Sequence, residues 1–253
     1  MNSEWYKNWF NKDYVDLYAH RDDKEAKSQV NFLIKQLSNP KELNIIDIAC
    51  GSGRHSFEFA NLGHKVTGLD YSDDLLAIAR KKQSNSEKQK DKENPIFIQG
   101  DMRIIPFEDS TFDLATSWFT SFGYFQQEEE HKDLLIEWNR VLKPKAFLLI
   151  DFLNKSYVEK TIDPLSITQN ETSLVMQQRE IRNNRIEKKI TIESIQTGEK
   201  KVFEESVRLF EKEEIIFLLE KTNYSINKIW GDTQGNKHDE NSKRLVLLSE
   251  KNS

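Results

Sequence analysis

The stretch IIDIACGSGRHSFEFANLGHKVTGLD, Ile45 to Asp70, constrains this chain more than any other. An apolar run ends at Ala49 or Cys50, Gly51-Ser52-Gly53 turns the backbone, a helical pattern opens near Arg54, and a second apolar run ends on Asp70. Strand, glycine turn, helix and strand in that order describe one unit of an open α/β sheet. Ligands of such sheets sit beyond the carboxyl ends of the strands. Gly51 and Gly53 let the backbone turn sharply and approach a ligand closely. The helix N-terminus offers free N–H groups to an anion. Asp70, at the end of the second strand, stands where a ribose hydroxyl pair would be recognised.

The alternation continues along the chain. SDDLLAIARKK reads as a helix with Ser72 as N-cap and two acids in its first turn. PIFIQGD, FDLATSWF and AFLLIDF read as strands, residues 128–142 as a helix, and the polar run 82–94 as a surface loop. Alternating strands and helices imply a parallel sheet covered on both faces. Before this core, residues 24–37 carry apolar side chains at helical spacing. They follow an aromatic arm of Trp5, Tyr6, Trp9, Phe10, Tyr14 and Tyr18. After Asn154 the period changes. Residues 173–210 alternate as strands, with a turn around Gly198, and three antiparallel strands are expected. A helix over 211–222 and two strands, YSINKIW and RLVLLSE, close the chain around a polar loop at 231–243. The expected organisation is a helical cap or lid (1–38), a ligand-binding core (39–154), an inserted antiparallel β cap (155–210), and a last helix with two strands completing the core (211–253).

A chain of 253 residues with 37% hydrophobic content and 15 Phe can bury one large core. The net charge of −5 argues against a nucleic-acid partner, which needs a basic face. No apolar run reaches the roughly 18 residues of a membrane span, and the N-terminus lacks a signal-peptide core. Cys50 is the single cysteine, so no intrachain disulfide can form and the common cysteine-based zinc sites are ruled out. A soluble cytoplasmic protein without a metal, monomeric or homodimeric, is the expectation.

GxG alone is weak evidence for a particular ligand. A dinucleotide turn carries a third glycine where this chain has Ser56. Asp47, four residues before Gly51, has no use beside a pyrophosphate, but it suits an amino-acid ammonium. Gly100-Asp101, after the third strand, supplies a carboxylate for an adenine amino group, and Met102 an apolar contact for its ring. Together, DIACGSG, GLD, QGDM, FDLATSW and RVLKPKAFLLIDF, in that order and spacing, resemble the class I S-adenosylmethionine (SAM)-dependent methyltransferases. One departure is Lys145-Ala146, where that family commonly has two glycines.

The resemblance implies a Rossmann-like, mostly parallel seven-stranded sheet of order 3-2-1-4-5-7-6 with strand seven antiparallel. It implies SAM as methyl donor, held by Asp47, Ala49, Gly51, Gly53, Asp70, Tyr71, Gly100, Asp101, Met102 and Trp118, with Tyr14 and Arg21 from the arm. SWFTSFGYF and the aromatic arm resemble enzymes acting on small molecules. The expected acceptor pocket is walled by Tyr18, Phe119, Phe122, Tyr124, Phe152 and Asn154. Methyl transfer is an in-line displacement that rests mainly on alignment, with a base optional. Candidate bases are His20, Asp151 and His238. RNA or protein methylation and a non-catalytic SAM-binding regulator are the alternatives.

Overall fold

The computed structural model describes residues 4–18, 22–38, 40–86 and 94–253. The aromatic arm forms α1 (Tyr6–Trp9) and α2 (Lys12–Leu17), followed by α3 (Asp23–Gln36). The core then runs β1 (Asn44–Ile48), α4 (Arg54–Asn61), β2 (Lys65–Asp70), α5 (Asp73–Ser86), β3 (Ile96–Gln99), β4 (Phe112–Ser117), α6 (Glu128–Val141) and β5 (Leu142–Leu153). Next come α7 (Lys155–Thr161) and a second sheet of β6 (Leu165–Gln169), β7 (Ser173–Arg182), β8 (Arg185–Ser194) and β9 (Lys200–Arg208). The chain ends with α8 (Lys212–Lys221), β10 (Tyr224–Trp230) and β11 (Arg244–Lys251). The main sheet has the order β3-β2-β1-β4-β5-β11-β10. β11 is antiparallel to both neighbours. This is the Rossmann-like α/β arrangement expected from the sequence.

The apolar runs of the strands cover two faces because successive side chains point to opposite sides of a sheet. Ile45, Leu114, Leu149 and Val246 pack on one side with Val30 and Leu33 of α3 and Phe59 of α4. Ile46, Ala115, Leu148, Ile150 and Leu247 pack on the other with Leu134 and Trp138 of α6 and Leu219 of α8. A strand buried on both faces needs no polar alternation. That is why β1 reads as a nearly continuous apolar run. Its one interruption, Asp47, is buried and therefore has to be explained by the site.

The second sheet has four antiparallel strands rather than the expected three. The additional one, β6, is a five-residue strand at its edge, and its Leu165 and Ile167 are exposed. β7 and β8 join through Asn183-Asn184, both with positive φ (49° and 55°), which suits a two-residue hairpin turn. Val175, Ile190 and Val207 of this sheet pack in one cluster with Trp5 and Trp9 of the arm. Buried Arg185 fastens the sheet to the core. Its guanidinium donates to the carbonyls of Tyr124, Phe125 and Ser206 and to the Ser206 hydroxyl. The expected loop at 82–94 also starts later. α5 continues to Ser86, with Lys82 paired to Asp23 of α3 at 2.8 Å.

Lys145 lies within β5 at φ 65°. Pairing of β4 with β5 shifts there, from Phe112 opposite Leu142 to Leu114 opposite Phe147, so the extra residues bulge out of the ladder. A left-handed conformation disfavours any side chain with a Cβ. Lys145→Gly should therefore stabilise the fold by about 0.5–1 kcal/mol. The exposed Lys145–Glu250 pair at 3.5 Å offsets little of that. Urea unfolding of the two proteins measures the difference, and a less stable glycine variant would count against the account.

Candidate active site

Three alternate residues of the first turn are left-handed: Ala49 (φ 57°), Gly51 (57°) and Gly53 (78°). Ala49 holds that conformation with a Cβ, a strain of the kind that functional loops retain. The turn is held by two buried carboxylates. Asp70 accepts from the Gly51 N–H at 2.7 Å and from the Ser72 N–H at 2.8 Å. Asp47 accepts from the Ser56 hydroxyl at 2.6 Å and the Thr116 hydroxyl at 3.1 Å. Ser56, which replaces the third glycine of a dinucleotide turn, is thus the partner of the carboxylate that such a turn has no use for. Burial raises both acids to about 6, against the hydrogen bonds that favour their charged forms.

A cavity opens above these strand ends. Its wall contains Asp47, Ala49, Gly51, Asp70, Tyr71, Gly100, Asp101, Met102 and Trp118, all expected cofactor contacts, together with Tyr14 from the arm. Gly53 does not line it. A Cβ there would lie 2.5 Å from the Phe97 ring, so this glycine serves packing of the α4 start against β3. Arg21 and His20 lie outside the described residues. Asp101 is also engaged in a way the sequence did not suggest. Arg103 grips it with Nη2 2.7 Å from Oδ2 and its backbone N–H 2.9 Å from Oδ1, and reaches Glu130 at 2.9 Å. Burial opposes the Asp101 charge, but the Arg103 hydrogen bonds prevail and hold its pKa below the usual carboxylate value.

Several cavity residues carried no assigned role in the sequence reading. Tyr6 and Phe10 of the arm line the wall, and Ser72 Oγ donates to the Phe10 carbonyl, pinning the arm to the end of β2. His55 lies flat on Trp118, with centroids 4.5 Å apart and planes at 5°. Its Nε2 is 2.7 Å from Gln29 Oε1, and burial pushes its pKa well down, so it is a neutral ring at pH 7. Arg54 lines the wall over the Phe119 ring and bonds the Asp22 carbonyl and Glu25. Pairing of α3 with the start of α4 was not readable locally.

A second cavity adjoins the first, with Phe10, Tyr14, Phe119 and Tyr124 in both walls. Tyr18, expected in the acceptor pocket, lines this second cavity, where its hydroxyl donates to Glu205 at 2.9 Å. Phe122 and Phe152 line neither. Both are fully buried against Phe210, and so belong to the core. Asn154 is also a correction: its amide donates to the carbonyls of Asp239 and Ser242 and anchors the 231–243 loop. Asp151 is 2% exposed and fully occupied. It accepts from Arg244 Nε at 2.7 Å and from the Phe119 N–H at 3.2 Å. That role positions a loop and leaves no free carboxylate for a base. His238 lines neither cavity.

The donor set discriminates between ligands. Three carboxylates, Asp47, Asp70 and Asp101, line one cavity, and Arg54, the one Lys or Arg in its wall among the described residues, is engaged by the Asp22 carbonyl and Glu25. A pyrophosphate would meet an excess of like charge there, whereas an adenosyl ligand bearing an ammonium and a sulfonium would be complemented. Residues 45–145 match a family model described as a methyltransferase domain. These residues form a methyltransferase domain. The chain is 36% identical over 117 residues to a putative methyltransferase, YqeM, of Bacillus subtilis, covering 46% of this chain and 44% of that protein. It is 33% identical over 131 residues to a demethylmenaquinone methyltransferase of Chlorobaculum tepidum, covering 51% and 49%. The chain thus spans about half the length of the curated relatives it matches. Among solved structures, a SAM-dependent methyltransferase from Clostridium acetobutylicum superposes with a TM-score of 0.82 at 15% identity, over 95% of this chain and 96% of that one. The SAM-bound amino pentose methyltransferase CalS10 of Micromonospora echinaspora superposes with 0.69 at 18% identity, over 95% and 97%. These two likenesses establish the shared fold.

The carboxylate of Asp70 should cost stability while it serves the site. Its pKa in the folded protein, about 6, lies above the ordinary value of 3.8. The protonated acid therefore contributes fully below its unfolded pKa, and that contribution is lost as pH rises through about 6. Between about pH 4 and pH 7 the parent should lose about 1–3 kcal/mol of stability relative to Asp70→Asn, whose amide does not titrate. Thermal unfolding across that range checks the sign, and a constant difference would contradict it.

Proposed function

We propose that this chain transfers the methyl group of SAM to a small-molecule acceptor. The observation that carries this reading is the junction of two cavities across one aromatic wall. One cavity is built from the methyltransferase turn, and the other lies between the arm and the second sheet. SAM, when bound, supplies a methyl group already activated by a positive sulfur. In this reading the chain's own residues have three tasks.

Asp70 accepts ribose hydroxyls while keeping its two backbone donors, and Asp47 accepts the amino-acid ammonium, directly or through water. Asp101 and Met102 receive the adenine. The faces of Tyr14, Tyr124 and Trp118 suit a cation. The arm, with α1, α2 and β6–β9, acts as a cap that keeps water from the junction. None of the described candidate bases lines either cavity, so alignment of the two reactants is the main contribution expected of the protein. An acceptor arriving as a neutral nucleophile needs no more.

Two other facts support a small acceptor. Matched relatives include demethylmenaquinone methyltransferases, and CalS10 is named for an amino pentose. Phe10, Tyr14, Phe119 and Tyr124 are shared by the walls of both cavities. Methyl-labelled SAM, incubated with the protein and fractionated cell extract, should label low-mass products and release S-adenosylhomocysteine. Label confined to RNA or protein would sink the small-molecule reading. Asp70→Asn should weaken SAM binding by calorimetry about tenfold or more, since charge-assisted hydrogen bonds contribute about 1.5–3 kcal/mol each. Tighter binding of NAD than of SAM by the parent protein would defeat the assignment altogether.

A further inference from the structure

The inner face of the second sheet carries a charged row where an apolar one would pack better. Antiparallel register puts Arg179 of β7 opposite Lys188 of β8, and Lys188 opposite Glu205 of β9. The row on one side is Ile181, Ile186 and Val207, and the row on the other is Gln177, Ile190 and Phe203. Arg179, Lys188 and Glu205 all line the second cavity, as does Arg244. Two cations directly opposite each other across strands cost stability. A row of this kind persists where the charges have work to do.

The charges around the cavity do not cancel. Lys188 pairs with Glu205 at 2.6 Å, and Arg244 pairs with Asp151 at 2.7 Å. Arg179 bonds only neutral oxygens, those of Asp163, Ser166 and Gln177, at 2.8–3.2 Å. Among the described residues it has no carboxylate partner. The hydrogen-bonding groups are unbalanced in the same direction. Glu205 already accepts from Trp9, Tyr18 and Lys188. Trp5 lines the same cavity, and its indole N–H is buried with no partner among the described residues. An unmatched buried donor is costly, so its natural complement is an acceptor brought by the ligand.

Resting on the methyl-transfer reading above, we propose that the second cavity holds an acidic group of the methyl acceptor, a carboxylate or a phosphate, with Arg179 as its counter-ion and Trp5 as a further donor. The acidic group anchors the acceptor and is not itself methylated. Its guanidinium partner belongs to the inserted sheet, so substrate choice is set by a segment distant in sequence from the donor site.

The test uses the full chain, methyl-labelled SAM and low-mass cell extract, with the labelled product freed of residual donor and passed over an anion exchanger at neutral pH. The product should be retained. Alkaline phosphatase should release it if the anchor is a phosphate and leave it bound if the anchor is a carboxylate. With the purified acceptor, Arg179→Met should raise KM about tenfold or more while kcat stays within about twofold. Arg182→Met, an exposed residue of the same strand paired with Glu180, is the control and should change neither. A low-mass labelled product that flows through unretained, or an unchanged KM in folded Arg179→Met, would overturn the acidic anchor while leaving small-molecule methylation standing. Label only in macromolecules, or none at all, removes both readings.

Discussion

One buried carboxylate ties together the parts that make the site. Asp70 ends β2, yet it holds Gly51 of the turn after β1 and Ser72 at the start of α5. Ser72 in turn caps Leu75 and donates to Phe10 of the arm. Two strand ends, one helix N-terminus and the aromatic arm therefore meet around a single side chain. Its burial opposes its charge, and the backbone N–H groups compensate in part. A residue that is expensive in the folded state and indispensable to local geometry is what a preorganised ligand site requires.

The opposite wall depends on a comparable device. Phe119 and Thr120, after β4, both have positive φ (55° and 80°), an uncommon state for residues with side chains. Asp151 holds them: its side chain accepts from the Phe119 N–H, its carbonyl from the Thr120 N–H. Arg244 of β11 neutralises that buried acid and bonds the Thr120 hydroxyl at 3.2 Å. Phe119 faces both cavities because this network keeps it there. The last strand of the chain thus shapes a loop belonging to the fourth, which explains why the C-terminal strands matter to a site they barely touch.

The donor side was legible because its chemistry is local. A glycine turn, an acid four residues before it and an acid closing the next strand all fall within Ile45–Asp70, and sheet topology does the rest. Legibility failed where burial depends on distant partners. Phe122, after β4, and Phe152, near the end of β5, looked like pocket walls, but Phe210, far along the chain, packs against both. Asn154 looked like a site residue and instead holds the loop at Asp239 and Ser242. Gly53 was assigned by motif, though the space beside it is filled by Phe97 of β3. Arg103 was invisible because nothing in QGDM signals that the next residue will fold back on Asp101. β6 was missed because its five residues carry only two alternating apolar positions, Leu165 and Ile167, too short a pattern to stand out.

The acceptor side could not have been read from pattern alone, since it is a product of register. In sequence, Arg179, Lys188 and Glu205 are three ordinary charges among many in β-strands. A shift of one residue in either pairing would send one of them to the opposite face. The Asn183-Asn184 turn sets the first pairing, and the turn at Gly198 (φ 69°) sets the second. Arg185 then fixes the whole sheet against the carbonyls of Tyr124 and Phe125, while Glu205 fastens it to Trp9 and Tyr18 of the arm. Two short turns therefore decide which charges face the cavity, and two ionic side chains, Arg185 and Glu205, decide where that face stands relative to the methyl donor. In such a construction the donor half can stay constant while turn length or a single inward residue on the sheet changes the acceptor.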